Sequence, residues 1–237
     1  MKKLVVLGGG ESGIGAALLA QRNNCQVLVS DVGSISDAAK QEFETHQISW
    51  EECGHSLNKI LSASLVVKSP GIPNNVSVVV AIEKAQIPIV SEIEFASKYT
   101  NATLIGITGS NGKTTTAMLT HHLLTEGGID AGLAGNIGNS FAKAVIEDQH
   151  EVYVLEISSF QLEHIQKFHP HIAIITNLTP DHLDRYGNSF EAYCDAKFNL
   201  IKNQTKTDHF LYDACLLYTS DAADEGLGVD LGGRRII

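Results

Sequence analysis

The sequence lacks paired cysteines. Its four cysteines, Cys25, Cys53, Cys194 and Cys215, are scattered over 237 residues, and no two of them form a Cys-x-x-Cys motif. This spacing offers neither a zinc cluster nor a disulfide framework. Free thiols are typical of proteins in a reducing compartment, so we expect a cytoplasmic protein.

Long apolar runs are absent as well. No stretch approaches the roughly 20 apolar residues that a membrane-spanning helix requires. The apolar run at residues 4–7 is too short for the core of a signal peptide, and it passes directly into three glycines. We interpret it as a first β-strand and expect no membrane partner.

The sequence also lacks an excess of basic residues. The formal net charge is −10, which argues against a nucleic-acid partner. An acidic protein that binds phosphate must do so locally, with backbone N–H groups, a lysine or a metal ion. The hydrophobic fraction of 43% and the charged fraction of 19% are ordinary for a globular protein with one or two domains.

Short apolar runs alternate with segments of helical periodicity and predict an α/β fold. Strands that are continuously apolar are typical of parallel sheets buried on both faces, joined by right-handed crossovers. The predicted strands are residues 4–7, 27–29, 64–67, 87–90, 103–108, 152–155, 172–176 and 210–212. Helices are predicted at 92–98, 113–125 and 190–201, and no internal repeat is present.

A glycine-rich loop between a predicted strand and a predicted helix carries the strongest chemical signal. Its backbone N–H groups can surround phosphate oxygens, Lys113 can reach the β- and γ-phosphates, and the Thr114 hydroxyl can bind Mg²⁺. Ile107 stands where a strict Walker A motif has glycine, so a glycine-rich turn with an incidental lysine is the alternative. The candidate ATP-binding residues are Gly109, Ser110, Asn111, Gly112, Lys113, Thr114 and Thr115.

A second glycine-rich loop follows the first strand. Gly8, Gly10 and Gly13 form a Gly-x-Gly-x-x-Gly motif, and Asp31 ends the next strand. This pattern is typical of a site for a nucleotide diphosphate, with the carboxylate near a ribose hydroxyl. The pattern does not specify NAD, and a tight turn without a ligand is the alternative.

Three further segments lie where catalytic loops are expected, beyond the carboxyl ends of parallel strands. Glu156 ends a buried apolar run, where a carboxylate needs a partner such as a metal ion. His182 lies in a polar turn after the next strand, and Lys197 lies on the following helix. Alone, each side chain could be a salt-bridged strand end, an ordinary histidine or a solvated lysine. Together with the phosphate loop they favour a metal–nucleotide site, and the other histidines are interpreted as structural or exposed.

Four segments together resemble the muramyl ligases. They are residues 108–114, the Gly-Asn-Ile-Gly run at 135–138, the Glu-Ile-Ser-Ser-Phe-Gln-Leu-Glu run at 156–163, and residues 181–186. The run at 156–163 resembles the D-glutamate-adding branch of that family. The resemblance covers residues 1 to 214.

The resemblance implies an ATP-dependent ligase of peptidoglycan precursor synthesis. Its substrates would be UDP-N-acetylmuramoyl-L-alanine, D-glutamate and ATP, its reaction would pass through an acyl phosphate, and its cofactors would be ATP and two Mg²⁺ ions. A monomer without nucleic-acid or membrane partners is expected. The implied fold is a Rossmann-like UDP-sugar-binding domain at 1–93, then a truncated P-loop-type ATPase domain at 94–214, both with mostly parallel sheets.

The resemblance also implies a role for individual residues. The catalytic residues would be Lys113, Glu156, His182 and Lys197. Metal ligands would be Thr114, Glu156, His182 and, if it carries a carbamate, Lys197. The UDP-sugar substrate would contact Gly10, Ser12, Gly13, Asp31, Ser69, Pro70, Gly71, Asn136, Gln161 and His182.

The sequence departs from the family pattern in length and at its end. Family members are roughly twice as long and have three domains, so we expect this chain alone to be inactive. Residues 215–237 show no strand or helix period and are interpreted as a non-native tail. Val32 is apolar where a hydroxyl would help to contact the nucleotide. An NAD-dependent oxidoreductase, a non-catalytic nucleotide-binding module and a ligase for another amino acid are the alternatives.

Overall fold

The computed structural model describes residues 2–147 and 149–213, and the chain divides into two compact units. The first unit contains the chain up to Thr100 and two later segments that begin at Asn139 and Glu163. The remaining segments form the second unit. The tail predicted at 215–237 lies outside the described residues, and the domain division near residue 93 stays a prediction.

The first unit is a five-stranded parallel sheet flanked by helices. Its strand order is β3-β2-β1-β4-β5, the order of a doubly wound dinucleotide-binding sheet. The strands are β1 (Lys3–Leu7), β2 (Gln26–Ser30), β3 (Ser49–Glu51), β4 (Leu65–Lys68) and β5 (Ile89–Ser91). The helices are α1 (Glu11–Arg22), α2 (Asp37–Thr45), α3 (Leu57–Ile60), α4 (Ser77–Lys84), α5 (Glu92–Ala96) with a 3-10 turn at Ser97–Tyr99, and α7 (Phe141–Glu147).

The second unit is also a five-stranded parallel sheet. Its order is β10-β9-β6-β8-β7. The strands are β6 (Thr103–Thr108), β7 (Ala131–Gly135), β8 (Val152–Glu156), β9 (Ile172–Ile175) and β10 (His209–Tyr212). The helices are α6 (Lys113–Glu126), α8 (Ser159–Leu162) and α9 (Phe190–Phe198), with 3-10 turns at Leu183–Tyr186 and Asn199–Ile201. The described helices of both units are too short or too polar to cross a membrane.

The predicted α/β class with parallel sheets is confirmed, because every strand pair in the two sheets is parallel. Apolar residues on both faces of β1 explain why this strand is central. Val5 and Leu7 pack into the cluster that includes α4, whereas Val6 lies beneath Gly13 of α1. Burial on both faces is what a continuous apolar run predicts.

Each glycine-rich loop follows a central strand, at the point where the strand order of its sheet reverses. β1 pairs with β2 on one side and β4 on the other, and β6 pairs with β8 and β9. Crevices at such points are where open α/β sheets bind ligands. Both loops therefore occupy positions suited to nucleotides.

Candidate nucleotide sites

The phosphate loop of the second unit joins β6 to α6. Gly109 and Gly112 have φ angles of 146° and 79°, which favour glycine. A side chain at Gly109 would also collide with the Thr176 hydroxyl. The Lys113 ammonium donates to the carbonyl oxygens of Gly109, at 3.0 Å, and Ser110, at 2.9 Å. The lysine is thus held across the loop, at the N-terminus of a 14-residue helix whose partial positive charge suits an anion.

The segment after β9 fixes the conformation of this loop. The Ser110 hydroxyl donates to the Thr179 carbonyl at 2.8 Å and accepts from the Thr179 N–H at 2.9 Å. The Asn111 N–H donates to the Asn177 amide oxygen at 2.9 Å, and the Asn177 amide donates back to the Asn111 carbonyl. Ser110 and Asn111, both predicted to bind ATP, therefore direct their polar groups toward the neighbouring loop.

Glu156 lies beside the phosphate loop and is 1% exposed. One carboxylate oxygen accepts from the Thr114 hydroxyl at 2.7 Å, and the other accepts from the Asn136 amide at 2.7 Å. Asn136 is aligned for this bond because its N–H also donates to the Glu156 carbonyl. A side chain at Gly135 would collide with that carbonyl. The structure thus brings three predicted residues from three segments together.

Lys197 is the fourth predicted residue near the loop. It is 2% exposed, its ammonium donates to the Gly109 carbonyl at 2.8 Å, and it lies 4.7 Å from the centre of the Tyr193 ring. Burial, followed by the nearby charge of Lys113, lowers the pKa of Lys197 to about 8. Both lysines donate to one carbonyl oxygen, so their positive charges are held close together.

The donor set around Glu156 fits a magnesium ion. The described hydrogen-bond partners of the buried Glu156 carboxylate are a hydroxyl and an amide, and neither of them carries a charge. Burial of a carboxylate without a directly bonded cation is costly in an apolar surrounding. Oxygen ligands from one carboxylate and one hydroxyl, completed by water and phosphate, are what Mg²⁺ prefers. The described residues contain no cluster of three or more acidic, histidine or cysteine side chains able to hold a metal alone.

His182 and Gln161 are not joined to Glu156 in the described residues. The His182 ring packs 5.4 Å from the Phe160 ring, and its Nε2 lies 3.5 Å from the Asp181 carboxylate. The Gln161 amide oxygen accepts from the N–H and the hydroxyl of Ser158, so it stabilises its own turn. Their roles in metal and substrate binding stay predictions.

A cavity of about 520 Å³ opens at the first glycine-rich loop. It brings together the predicted residues Gly10, Ser12, Asp31, Ser69, Pro70 and Gly71. The Ser69 hydroxyl is buried without a hydrogen-bond partner among the described residues. An unsatisfied buried hydroxyl in a cavity wall is suited to a polar ligand.

Asp31 holds two loops in place. Its carboxylate accepts from the Gly9 N–H at 2.7 Å and from the Gly33 N–H at 2.8 Å. A carboxylate has about four lone-pair sites, so two sites remain for a ribose hydroxyl. Asp31 therefore shapes the cavity as well as lining it.

The second and third glycines of the motif have different structural roles. A Cβ at Gly13 would collide with the Gly8 carbonyl oxygen, whereas a Cβ at Gly10 would meet no atom within 4 Å. We expect Gly13→Ala to lower the free energy of unfolding of the first unit by about 2–3 kcal/mol through overpacking. Gly10→Ala should leave stability unchanged and weaken ligand binding, because Gly10 lines the cavity.

Urea unfolding followed by tryptophan fluorescence measures the difference. The only tryptophan, Trp50, lies on β3 and reports on the first unit. Equal unfolding midpoints for the two variants would show that the third glycine is not needed for packing of α1 on β1.

Two further residues contribute to these sites and were not predicted from the sequence. His55 also lines the cavity, and the Tyr193 hydroxyl forms a hydrogen bond with the Ser110 hydroxyl at 2.9 Å. His55 follows β3, a strand of only three residues, and so short a strand gives no clear sequence pattern that would place the histidine at a site. Ser77, the first residue of α4, also lines the cavity and was not predicted.

Two family models match the sequence. The model described as Mur ligase middle domain matches residues 107–223, and the model described as MurD N-terminal domain matches residues 3–78. Together they cover both glycine-rich loops and the Glu156 site.

Curated relatives and a solved structure are similar to this chain. A UDP-N-acetylmuramoylalanine–D-glutamate ligase of Christiangramia forsetii is 54% identical over 213 residues, which are 90% of this chain and 48% of the relative. A protein of the same name from Bacteroides fragilis is 50% identical over 212 residues, which are 90% of this chain and 48% of the relative. The chain spans about half the length of the curated relatives that it matches.

The solved structure is similar in fold. It is the UDP-N-acetylmuramate:L-alanyl-gamma-D-glutamyl-meso-diaminopimelate ligase of Neisseria meningitides, with a TM-score of 0.62 and 21% identity. The match covers 95% of this chain and 75% of that structure.

Proposed function

Since this chain belongs to the Mur ligase family, we propose that it provides the UDP-sugar and ATP sites of a ligase that adds D-glutamate to UDP-N-acetylmuramoyl-L-alanine. The observation that carries the proposal is the junction of Lys113, Thr114 and Glu156 at the phosphate loop. The names of the relatives support D-glutamate as the amino acid.

The second unit is proposed to bind magnesium-ATP. Backbone N–H groups of 109–112 surround the phosphates, with Lys113 on the β- and γ-phosphates. Thr114 and Glu156 hold the ion, which when bound neutralises charge on the transferring phosphoryl group. His182 is proposed to serve a second Mg²⁺ and the substrate. The His182 ring packs on Phe160 in the turn at 181–186.

Lys197 is proposed to carry a carbamate. A neutral amine is the form that adds carbon dioxide, and a pKa of about 8 leaves a larger neutral fraction near pH 7 than an ordinary lysine has. The modification would replace a positive charge with a negative one next to Lys113. This change would relieve the repulsion between the two lysines and add an oxygen ligand for magnesium.

The cavity of the first unit is proposed to bind the uridine diphosphate. The diphosphate lies at Gly10 and Ser12 where α1 begins, the ribose near Asp31, and Ser69 to Gly71 form the opposite wall. Asn136 and Gln161 are proposed to contact the muramoyl-alanine part.

Charge placement then suggests the order of chemistry. The substrate carboxylate attacks the γ-phosphate and forms an acyl phosphate while ADP leaves, with Lys113 stabilising the charge on the phosphoryl oxygens. The D-glutamate amine attacks the acyl carbon, loses a proton and expels phosphate. ATP is required because a carboxylate and an amine do not otherwise condense at neutral pH. We further propose a cytoplasmic monomer that serves peptidoglycan synthesis.

Calorimetric titration of the chain with UDP-N-acetylmuramoyl-L-alanine tests the substrate, with NAD as the control titrant. We expect binding of the UDP-sugar, no binding of NAD, and weaker UDP-sugar binding in Gly10→Ala. NAD binding without UDP-sugar binding would instead support an oxidoreductase built on the first glycine-rich loop.

The reaction is tested with the native gene product. Phosphate release from ATP should require both UDP-N-acetylmuramoyl-L-alanine and D-glutamate. Equal release with L-alanine, lysine or D-alanyl-D-alanine in place of D-glutamate would contradict the proposed amino acid.

A further inference from the structure

Lys68 is a buried cation next to the nucleotide cavity, and the proposed function does not use it. It is the last residue of β4 and is 1% exposed, which is rare for a lysine. Residues 69–73 follow it directly and all line the cavity, and we name them the 69–73 wall. The ammonium therefore lies inside the protein, while the wall that follows it faces the proposed ligand.

The Lys68 ammonium closes the turn that the wall forms. It donates to the Ile72 carbonyl at 2.6 Å, and the Ile72 N–H donates to the Ser69 carbonyl at 3.1 Å. A hydrogen bond from a charged donor is about twice as strong as a neutral one, and the low dielectric of a buried position strengthens it further. The turn is thus held at both ends. It carries the Ser69 hydroxyl, which is buried without a hydrogen-bond partner among the described residues.

A second segment of the first unit, residues 163–166, lies against Lys68 and the end of the wall. The Glu163 carboxylate is 4.0 Å from the ammonium, and its side chain is 8% exposed. It accepts from the Asn74 amide at 3.0 Å, and the Asn74 amide oxygen lies 2.9 Å from Nε2 of His164. A separation of 4.0 Å is beyond hydrogen-bonding range, so the short bond of the ammonium goes to the wall carbonyl rather than to Glu163.

Packing alone does not account for a lysine at this position. Taking an ammonium out of water is costly, and apolar residues of similar volume often replace a buried ion pair without loss of stability. The other residues of β4 are Leu-Val-Val, and a fourth apolar residue would continue that pattern. The contact that an apolar residue could not provide is the bond to the Ile72 carbonyl.

We propose that Lys68 is a positioning residue of the nucleotide cavity, whose bond to the Ile72 carbonyl holds the 69–73 wall in the shape that binds the UDP-sugar. The inference rests on the proposed function, and it adds a residue that acts from behind the wall without contacting the ligand. A wall that is not held in advance must be ordered when the ligand binds, and that cost lowers the affinity.

Calorimetric titration of the full chain with UDP-N-acetylmuramoyl-L-alanine tests the role of Lys68. Lys68→Met keeps the length and removes the donor, so it should bind about tenfold more weakly, the effect of losing one hydrogen bond from a charged group. Glu163→Gln keeps the Lys68 bond to Ile72 and an acceptor for Asn74, so its affinity should stay within about twofold of the unchanged chain. Lys84→Met, at an exposed lysine in the last turn of α4, is the matched control and should bind like the unchanged chain.

A double variant separates positioning of the wall from stability of the fold. Each single variant leaves one buried charge without the other, and should unfold at a lower urea concentration than the unchanged chain. Lys68→Met combined with Glu163→Gln leaves neither charge and should recover the unfolding midpoint, measured by Trp50 fluorescence. Its binding of the UDP-sugar should stay about tenfold weak, because the bond to Ile72 is still missing. Magnesium-ATP affinity, a proposed property of the second unit, should be the same in all of these variants.

The outcomes separate this inference from the proposed function. If the unchanged chain does not bind the UDP-sugar, the proposed cavity function is wrong and the role of Lys68 falls with it. If the unchanged chain binds and Lys68→Met binds equally well, the cavity function stands and the role of Lys68 is wrong. Recovery of both the unfolding midpoint and the affinity in the double variant also overturns that role, because the lysine would then serve only to balance Glu163.

Discussion

Replacing Glu156 with glutamine is expected to weaken the binding of magnesium-ATP to the chain by about 100-fold, the upper range for changes around a metal site. Glutamine has nearly the same shape and can still accept a hydrogen bond from Thr114. The carboxylate charge that balances the cation is lost. Because Glu156 is buried with neutral described partners, the fold of the second unit should be unaffected or slightly stabilised.

Calorimetric titration with ATP, in the presence of magnesium and then of EDTA, isolates the effect. Without the ion, Glu156→Gln should bind ATP at least as well as the unchanged chain, because the carboxylate that repels the phosphates is gone. With the ion present, the variant should bind ATP more weakly. Glu151→Gln, at an exposed residue just before the same strand β8, is the matched control and should behave like the unchanged chain. Equal magnesium-ATP affinity in Glu156→Gln would contradict the assignment of Glu156 as a metal ligand.

The central strands could be predicted from the sequence because burial on both faces leaves a continuous apolar run. β1, β6 and β8 show this pattern and were located within one or two residues. β3, which is only half-buried, and β7, Ala-Gly-Leu-Ala-Gly, were missed. Their pairing depends on neighbouring strands rather than on local preference, and local preference is what a sequence pattern reports.

The candidate sites also combine features that a local sequence pattern predicts with contacts that no local pattern predicts. A glycine-rich loop between a strand and a helix is a local pattern, so both loops and the lysine at the helix start could be located from sequence. Glu156 was inferred from a charge at the end of an apolar run. The contacts of Ser110 with Thr179, and of Ser30 with His55, join residues 69 and 25 positions apart, and no local pattern predicts such pairs.

Glu92 is a buried carboxyl group, and its ionisation is expected to lower the free energy of unfolding of the first unit. It is 2% exposed, one oxygen accepts from the Ala142 N–H, and the other has no partner among the described residues. Burial raises the pKa of Glu92 to about 7. The Ala142 hydrogen bond opposes this shift, and the negative charge of Glu11 adds to it. Both partners belong to the first unit.

The sign of the effect follows from proton binding. Between the unfolded pKa of 4.5 and the folded pKa of about 7, the folded state binds more protons than the unfolded state. The free energy of unfolding therefore falls as pH rises through this window. A shift of this size corresponds to about 3 kcal/mol, so the first unit should be less stable at about pH 8 than at pH 5 by that amount.

Glu92→Gln should remove this dependence. The amide keeps an acceptor for Ala142 and resembles the protonated carboxyl group, so the variant should match the unchanged chain near pH 5 and exceed its stability by about 3 kcal/mol near pH 8. Urea unfolding at both pH values, followed by Trp50 fluorescence, measures the difference. Glu83→Gln, at an exposed position on α4, should keep the pH dependence of the unchanged chain. If the unchanged chain is equally stable at both pH values, the carboxyl group of Glu92 does not ionise at the cost that its burial predicts.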